Sequence, residues 1–195
     1  MSPISSVEFE KKRAVSRKKI IDTALMLFGS NGFANTSISQ IAKEAGISKG
    51  LMYNYFESKD DLLEKVILET VESMQGFYLE FLEEADARKM LLKMIDFTVE
   101  FLKTEKEFNV LLTSLGLQKE SHPIIKKIAS EKINQLMPLF LTKMNDAGIP
   151  DAENEIYIMG AVMDGLAVQY LTTEDEVHLM RVANALKKRY NLGNL

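Results

Sequence analysis

A chain of 195 residues, 46% apolar and 27% charged, has room for one or two domains with a substantial core. It contains no cysteine, which excludes disulfides, thiolate metal sites and cysteine nucleophiles and suits a reducing cytoplasm. The net charge of −4 conceals a division: residues 1–59 hold nine bases against five acids, and the remainder holds 15 bases against 23 acids. A basic first part on an acidic remainder points to two tasks, the first compatible with a polyanion.

The start, MSPISSVEFEKKR, has no apolar stretch of the kind a secretory signal needs. The longest apolar run, Ile156 to Met163, is far shorter than a membrane span, so the reading is a cytoplasmic protein with no membrane partner. Helical spacing runs throughout, and no stretch alternates long enough for a strand. Ile20, Ala24, Leu27 and Phe28 form one apolar stripe and predict a first helix from about Glu10 to Asn31, with Gly32 as its stop. Ser37 and Gln40 have capping-box spacing for a second helix ending at Gly46. Ser48 caps a third over 48–55, and Ser58 with Asp61 starts a fourth that Leu62, Leu63, Val66, Ile67 and Val71 carry to about Phe81. Further helices are predicted over 87–104, 106–117, 121–146, 152–172 and 174–190, with Pro138 expected to kink or split the 121–146 segment. The sequence therefore predicts an all-α chain, with domains at 1–60 and 61–195.

Two short helices meeting at a glycine outline a helix-turn-helix. Ala42 lets the pair approach closely, Gly46 takes the positive φ of the turn, and Ile47 fills the corner. On the second helix of the pair Met52 and Phe56 face inward. Ser48, Lys49, Gly50, Leu51, Tyr53, Asn54 and Tyr55 are left over the rest of the circumference. That outer face suits duplex DNA: Lys49 and Asn54 bond base edges, tyrosine hydroxyls and Lys59 reach phosphates, and Gly50 lets the backbone come close. Thr36 and Ser37 form a second phosphate seat, and Lys11 to Lys19 a third along the backbone.

The run ALMLFGSNGFANTSISQIAKEAGISKGLMYNYFESKDDLL resembles the DNA-binding domain of TetR-type (tetracycline repressor-like) bacterial transcriptional regulators. The matching positions include Ala24, Leu27-Phe28, Gly32-Phe33, Thr36-Ser37, Ile41-Ala42, Ala45-Gly46, Ser48-Lys49-Gly50, Tyr53, Tyr55-Phe56, Ser58-Lys59 and Leu62. The resemblance covers the first third of the chain. It implies a nine-helix homodimer whose reading helices enter successive major grooves of a palindromic operator. Lys49, Gly50, Leu51, Tyr53, Asn54 and Tyr55 would lie against DNA, and Thr36, Ser37, Tyr53 and Lys59 mostly on phosphates.

The resemblance also implies a carboxy-terminal domain that dimerises and takes a small-molecule effector. Gly160, Ala161, Gly165 and Ala167 are interleaved with Met159, Val162, Met163, Leu166 and Val168, small residues that admit a second helix. Val177, Met180, Ala183, Leu186 and Lys187 follow at helical spacing. In the family the last two helices form a four-helix interface with their copies. Phe97, Phe101, Phe108, Leu112, Met137, Phe140, Met144 and Tyr157 fall on helices that line the effector pocket in relatives. Asp164, a carboxylate within MGAVMDGLAVQY, either pairs across the dimer or meets a polar or cationic ligand group. His122 and His178 do not resemble a metal pair, and neither a nucleophile with a nearby base nor a phosphate loop appears, so no catalysis, metal or cofactor is expected. The expected function is a repressor released by a small molecule. The alternative is a dimeric DNA-binding protein with no effector.

Overall fold

The computed structural model describes residues 6–73, 83–117 and 123–192, and among them every regular element is a helix. Nine are present there: α1 Ser6–Asn31, α2 Ile38–Glu44, α3 Lys49–Met52, α4 Lys59–Ser73, α5 Ala87–Thr104, α6 Lys106–Gly116, α7 Pro123–Asp146, α8 Ala152–Thr173 and α9 Glu176–Arg189. The chain divides into two compact units, Met1–Ser73 and Met74–Leu195. Helix α4, which a boundary at residue 60 would give to the second domain, thus packs with the first. Its apolar stripe explains why: Leu62, Leu63, Val66 and Ile67 are fully buried. The expected end of this helix near Phe81 and the residue His122 lie outside the described residues.

In the first unit Ile20, Ile21, Ala24 and Phe28 of α1 meet Ile41 and Ala42 of α2 and the buried stripe of α4. The ends of these helices follow local chemistry. Gly32 and Gly46 close α1 and α2 at φ of +82° and +69°, a region costly for residues bearing a Cβ. Both halves of the Ser37 capping box form: the Gln40 amide donates to Ser37 Oγ at 3.2 Å and the Ser37 amide to Gln40 Oε1 at 2.7 Å. Ahead of α4 the pattern varies. The Asp61 amide donates to Ser58 Oγ, while Asp61 itself accepts from the Glu57 amide, one residue earlier than a regular box would have it.

The second unit has its own core, in which Met90, Leu91, Ile95, Val99 and Leu102 of α5 pack with Met144, Met159, Leu166, Leu179, Ala183 and Leu186. Arg88, at the start of α5, donates to the Tyr190 carbonyl at 2.8 Å and the Ala147 carbonyl at 3.0 Å, so one guanidinium caps the ends of both α9 and α7. Asn109 of α6 is buried, and its amide donates to the Phe101 and Glu105 carbonyls at 3.1 and 2.8 Å. Each of these carbonyls also accepts a backbone amide, that of Glu105 on Phe101 and that of Asn109 on Glu105, so the side chain is a second donor at the junction of α5 and α6. Helix α7 runs unbroken through Pro138. Asn134, whose carbonyl loses its helical donor there, is exposed, so water can replace the missing bond.

Candidate nucleic-acid interface

Helix α3 spans only Lys49–Met52, shorter than the 48–55 predicted, and continues as turns in which the Asn54 amide donates to Leu51 and the Tyr55 amide to Met52. Ser48 caps it, accepting from the Leu51 amide at 3.1 Å. So short an element is held by its anchors rather than its own propensity. Met52 and Phe56 are buried as expected, and the Arg17 guanidinium lies 5.7 Å from the centre of the Phe56 ring while pairing with Glu69 of α4. The reading segment is thereby fixed to α1 and α4 together.

The outward residues separate clearly. Leu51 is 37% and Tyr53 53% exposed, and Lys49, Gly50 and Asn54 are also exposed. A Cβ placed on Gly50 would meet no protein atom within 4 Å. The Lys49 ammonium and the Asn54 amide have no partner among the described residues, so their donors and acceptors remain available. Tyr55 is half-buried, with the Arg13 guanidinium 5.9 Å from its ring centre. Sequence reasoning misses this neighbour. The first three turns of α1 run past the reading segment, and Phe9, Lys12, Arg13 and Ser16 face Leu51, Asn54 and Tyr55 across an open cleft of about 510 Å³. The only sequence signal is the basic run Lys11-Lys12-Arg13.

Two residues expected on phosphates are used differently. Thr36 is 1% exposed, and its hydroxyl is within bonding distance of the Gly32 and Leu27 carbonyls, at 2.9 and 3.1 Å. Lys59 donates to the Phe33 carbonyl at 2.9 Å and the Thr36 carbonyl at 3.1 Å, with its ammonium 4.3 Å from the Phe33 ring centre. Both side chains hold the corner between α1 and α2 instead of facing solvent. Ser37 and Ser48 stay exposed, with their hydroxyls engaged as caps.

Residues 20–66 match the family model described as bacterial regulatory proteins, tetR family. The chain carries a tetR-family domain. With that domain it is 36% identical over 112 residues to the HTH-type transcriptional regulator YerO of Bacillus subtilis (strain 168); the match takes in 55% of this chain and 38% of that protein. The tetR-type fold extends over nearly the whole chain. The regulator FadR of Bacillus subtilis, solved with stearoyl-CoA, superposes with a TM-score of 0.75 at 20% identity, covering 91% of this chain and 98% of FadR. A transcriptional regulator of Saccharomonospora viridis solved with choline gives 0.74 at 22%, covering 90% and 96%.

The residues expected in the second unit fall into three groups. Phe108 and Met144 are core, fully enclosed by the chain. Phe97, Phe101, Leu112, Met137 and Phe140 are half-buried, Phe97 stacking on Phe101 at 5.6 Å and Phe101 meeting Phe108 edge-on at 6.1 Å. Tyr157, 60% exposed, and Asp164 point outward from α8 and share no enclosure with the others.

Of the expected dimer contacts, Gly160, Gly165, Val168 and Met180 are exposed, but Ala183 and Leu186 are buried within the chain. Steps of three residues drift around a helix by about −60° each, so the series Val177, Met180, Ala183, Leu186 passes from the outer face to the inner one. No helix of the described residues is long and apolar enough to cross a membrane.

Proposed function

We propose that this chain is a DNA-binding transcriptional regulator that acts as a homodimer on a palindromic operator and is released from it by a small-molecule effector. The observation carrying the reading is the outer face of the reading segment, where Lys49, Gly50 and Asn54 stand exposed and unpartnered within a tetR-family domain. Base edges in the major groove offer the acceptors and donors that such groups lack in the free protein. Arg13 and Lys12, across the cleft, add cationic groups beside the same face, suited to the flanking phosphates. The homodimer is supported by α8 and α9, whose outer faces expose Tyr157, Ile158, Val168, Val177 and Met180, an apolar surface that a second copy would cover.

The effector reading is that of a molecule with an apolar tail. Phe97, Phe101, Leu112, Met137 and Phe140 are large apolar side chains that the chain covers only in part. Among the described residues of the second unit the buried side chains are apolar apart from Asn109 and Tyr190, a lining that suits an apolar tail. The fold shared with FadR, solved with stearoyl-CoA, is consistent with this. DNA and effector would oppose each other through one coupling free energy, with α4, which follows the reading segment directly, as the connecting element.

The test is a gel shift on the DNA flanking the chain's own gene. Wild type is expected to bind and Asn54→Ala to lose discrimination at one base position. Absence of binding at every salt concentration would overturn the regulator. Adding stearoyl-CoA to the bound complex is expected to release it, and choline to leave it intact. Retention with stearoyl-CoA would overturn the apolar-tail effector and favour a DNA-binding protein with no such ligand.

A further inference from the structure

Helices α8 and α9 each carry one isolated charge on the outer face. Between Glu155 and Glu174 the sequence holds a single charged side chain, Asp164, and between His178 and Lys187 a single one, Arg181. Both are exposed, and neither has an ion pair or hydrogen bond among the described residues. The two helices run antiparallel, and two side-chain bonds fix their register. His178 Nε2 lies 2.8 Å from Gln169 Oε1 at one end, and Arg189 Nη2 is 2.6 Å from Glu155 Oε1 at the other. Asp164 and Arg181 sit at about the same level between those rungs. Tyr157, Ile158 and Val168 on α8 and Val177 and Met180 on α9 are exposed apolar side chains of the same two helices.

An apolar face bearing one acid and one base suits a two-fold partner. A two-fold axis running along the two helices and between them would bring the acid of one copy opposite the base of the other, twice over. Each charge would otherwise be buried without compensation when the apolar surface is covered. We propose that these residues select the partner: in the homodimer Asp164 pairs with the partner's Arg181, and the reciprocal pair forms across the two-fold axis. The chain then sorts with its own copies and rejects chains of the same fold that present like charges at these positions, since like charges facing each other in a desolvated interface repel strongly. The inference rests on the homodimer proposed above.

Charge exchange tests it, with association followed by analytical ultracentrifugation and native mass spectrometry of the full chain. D164R alone places two guanidinium groups opposite each other and R181D two carboxylates, so each is expected to self-associate about 10-fold or more weakly than wild type. Mixing the two singles restores both pairs and is expected to yield heterodimer. The double variant D164R/R181D is expected to form homodimers and to exclude wild type. Both positions are exposed, so helical circular dichroism is expected to be unchanged in all variants.

A wild-type dimer whose single variants associate unimpaired would overturn the partner-selecting pair. So would singles that weaken without rescue on mixing. A monomeric wild type overturns the homodimer reading itself, a separate failure.

Discussion

The ammonium of Lys59 donates to the backbone carbonyl of Phe33 at 2.9 Å, joining the first turn of α4 to the turn that leads into α2. With the second bond to the Thr36 carbonyl and the ring of Phe33 beneath it, this lysine replaces water around a helix corner. It acts as a positioning residue within the tetR-family domain. Lys59→Ala is expected to cost about 2 kcal/mol of stability, the range for hydrogen bonds from a charged donor, measured by urea unfolding. The salt dependence of operator binding is expected to keep its slope, whereas a lysine on a phosphate would take about one from the slope when removed. A lowered slope with unchanged stability would return Lys59 to the DNA.

Gly50 offers a clean probe of where DNA approaches. A Cβ there meets no protein atom, and alanine favours helix over glycine by about 0.5–1 kcal/mol, so Gly50→Ala is expected to hold or raise the melting temperature. If the duplex lies against this face, the same methyl weakens operator binding. Wild-type affinity in the alanine variant would move the interface elsewhere.

Asn54 and Arg13 flank one cleft but should fail differently. Asn54→Ala is expected to relax preference at a single base position by roughly 1–3 kcal/mol. Arg13→Ala is expected to weaken all sequences alike and to lower the salt slope by about 0.9 for each phosphate the guanidinium neutralises. Binding titrations of both variants against operator point mutants at several salt concentrations distinguish the two.

In the second unit the carboxylate of Glu155 is held below its ordinary value by hydrogen bonds from Arg189 and then Tyr190. A carboxylate with a lowered folded pKa stabilises fully above its unfolded value, about 4.3 for glutamate, and that contribution is lost as pH falls through the folded value. Thermal melts from pH 6 to pH 2 are therefore expected to drop more steeply for wild type than for Glu155→Gln. Parallel curves would remove the pair from the acid response.

Local rules account for most of what the sequence makes legible. Glycine stops, the Ser37 capping box and the inward spacing of Met52 and Phe56 depend on neighbours within a few residues, and each appears in the structure where spacing puts it. Features that depend on distant partners do not show in this way. Lys59 reads as a surface cation because Phe33 and Thr36 are 26 and 23 positions away. Arg13 over Tyr55 is hidden for the same reason, as is α4's membership of the first unit, which its burial decides. Phase confounds the dimer residues: four apolar residues at intervals of three look like a stripe in the sequence but wind half-way round α9.

Asn109 of α6 reaches back to the Phe101 carbonyl in the last turn of α5, and its side chain is buried. Separating the two helices would take one of its two acceptors from that buried amide, so they are expected to travel as one elbow. The proposed effector, seated on Phe97, Phe101 or Leu112, would then push on a single part, and a small displacement at the aromatic end would be carried to the other.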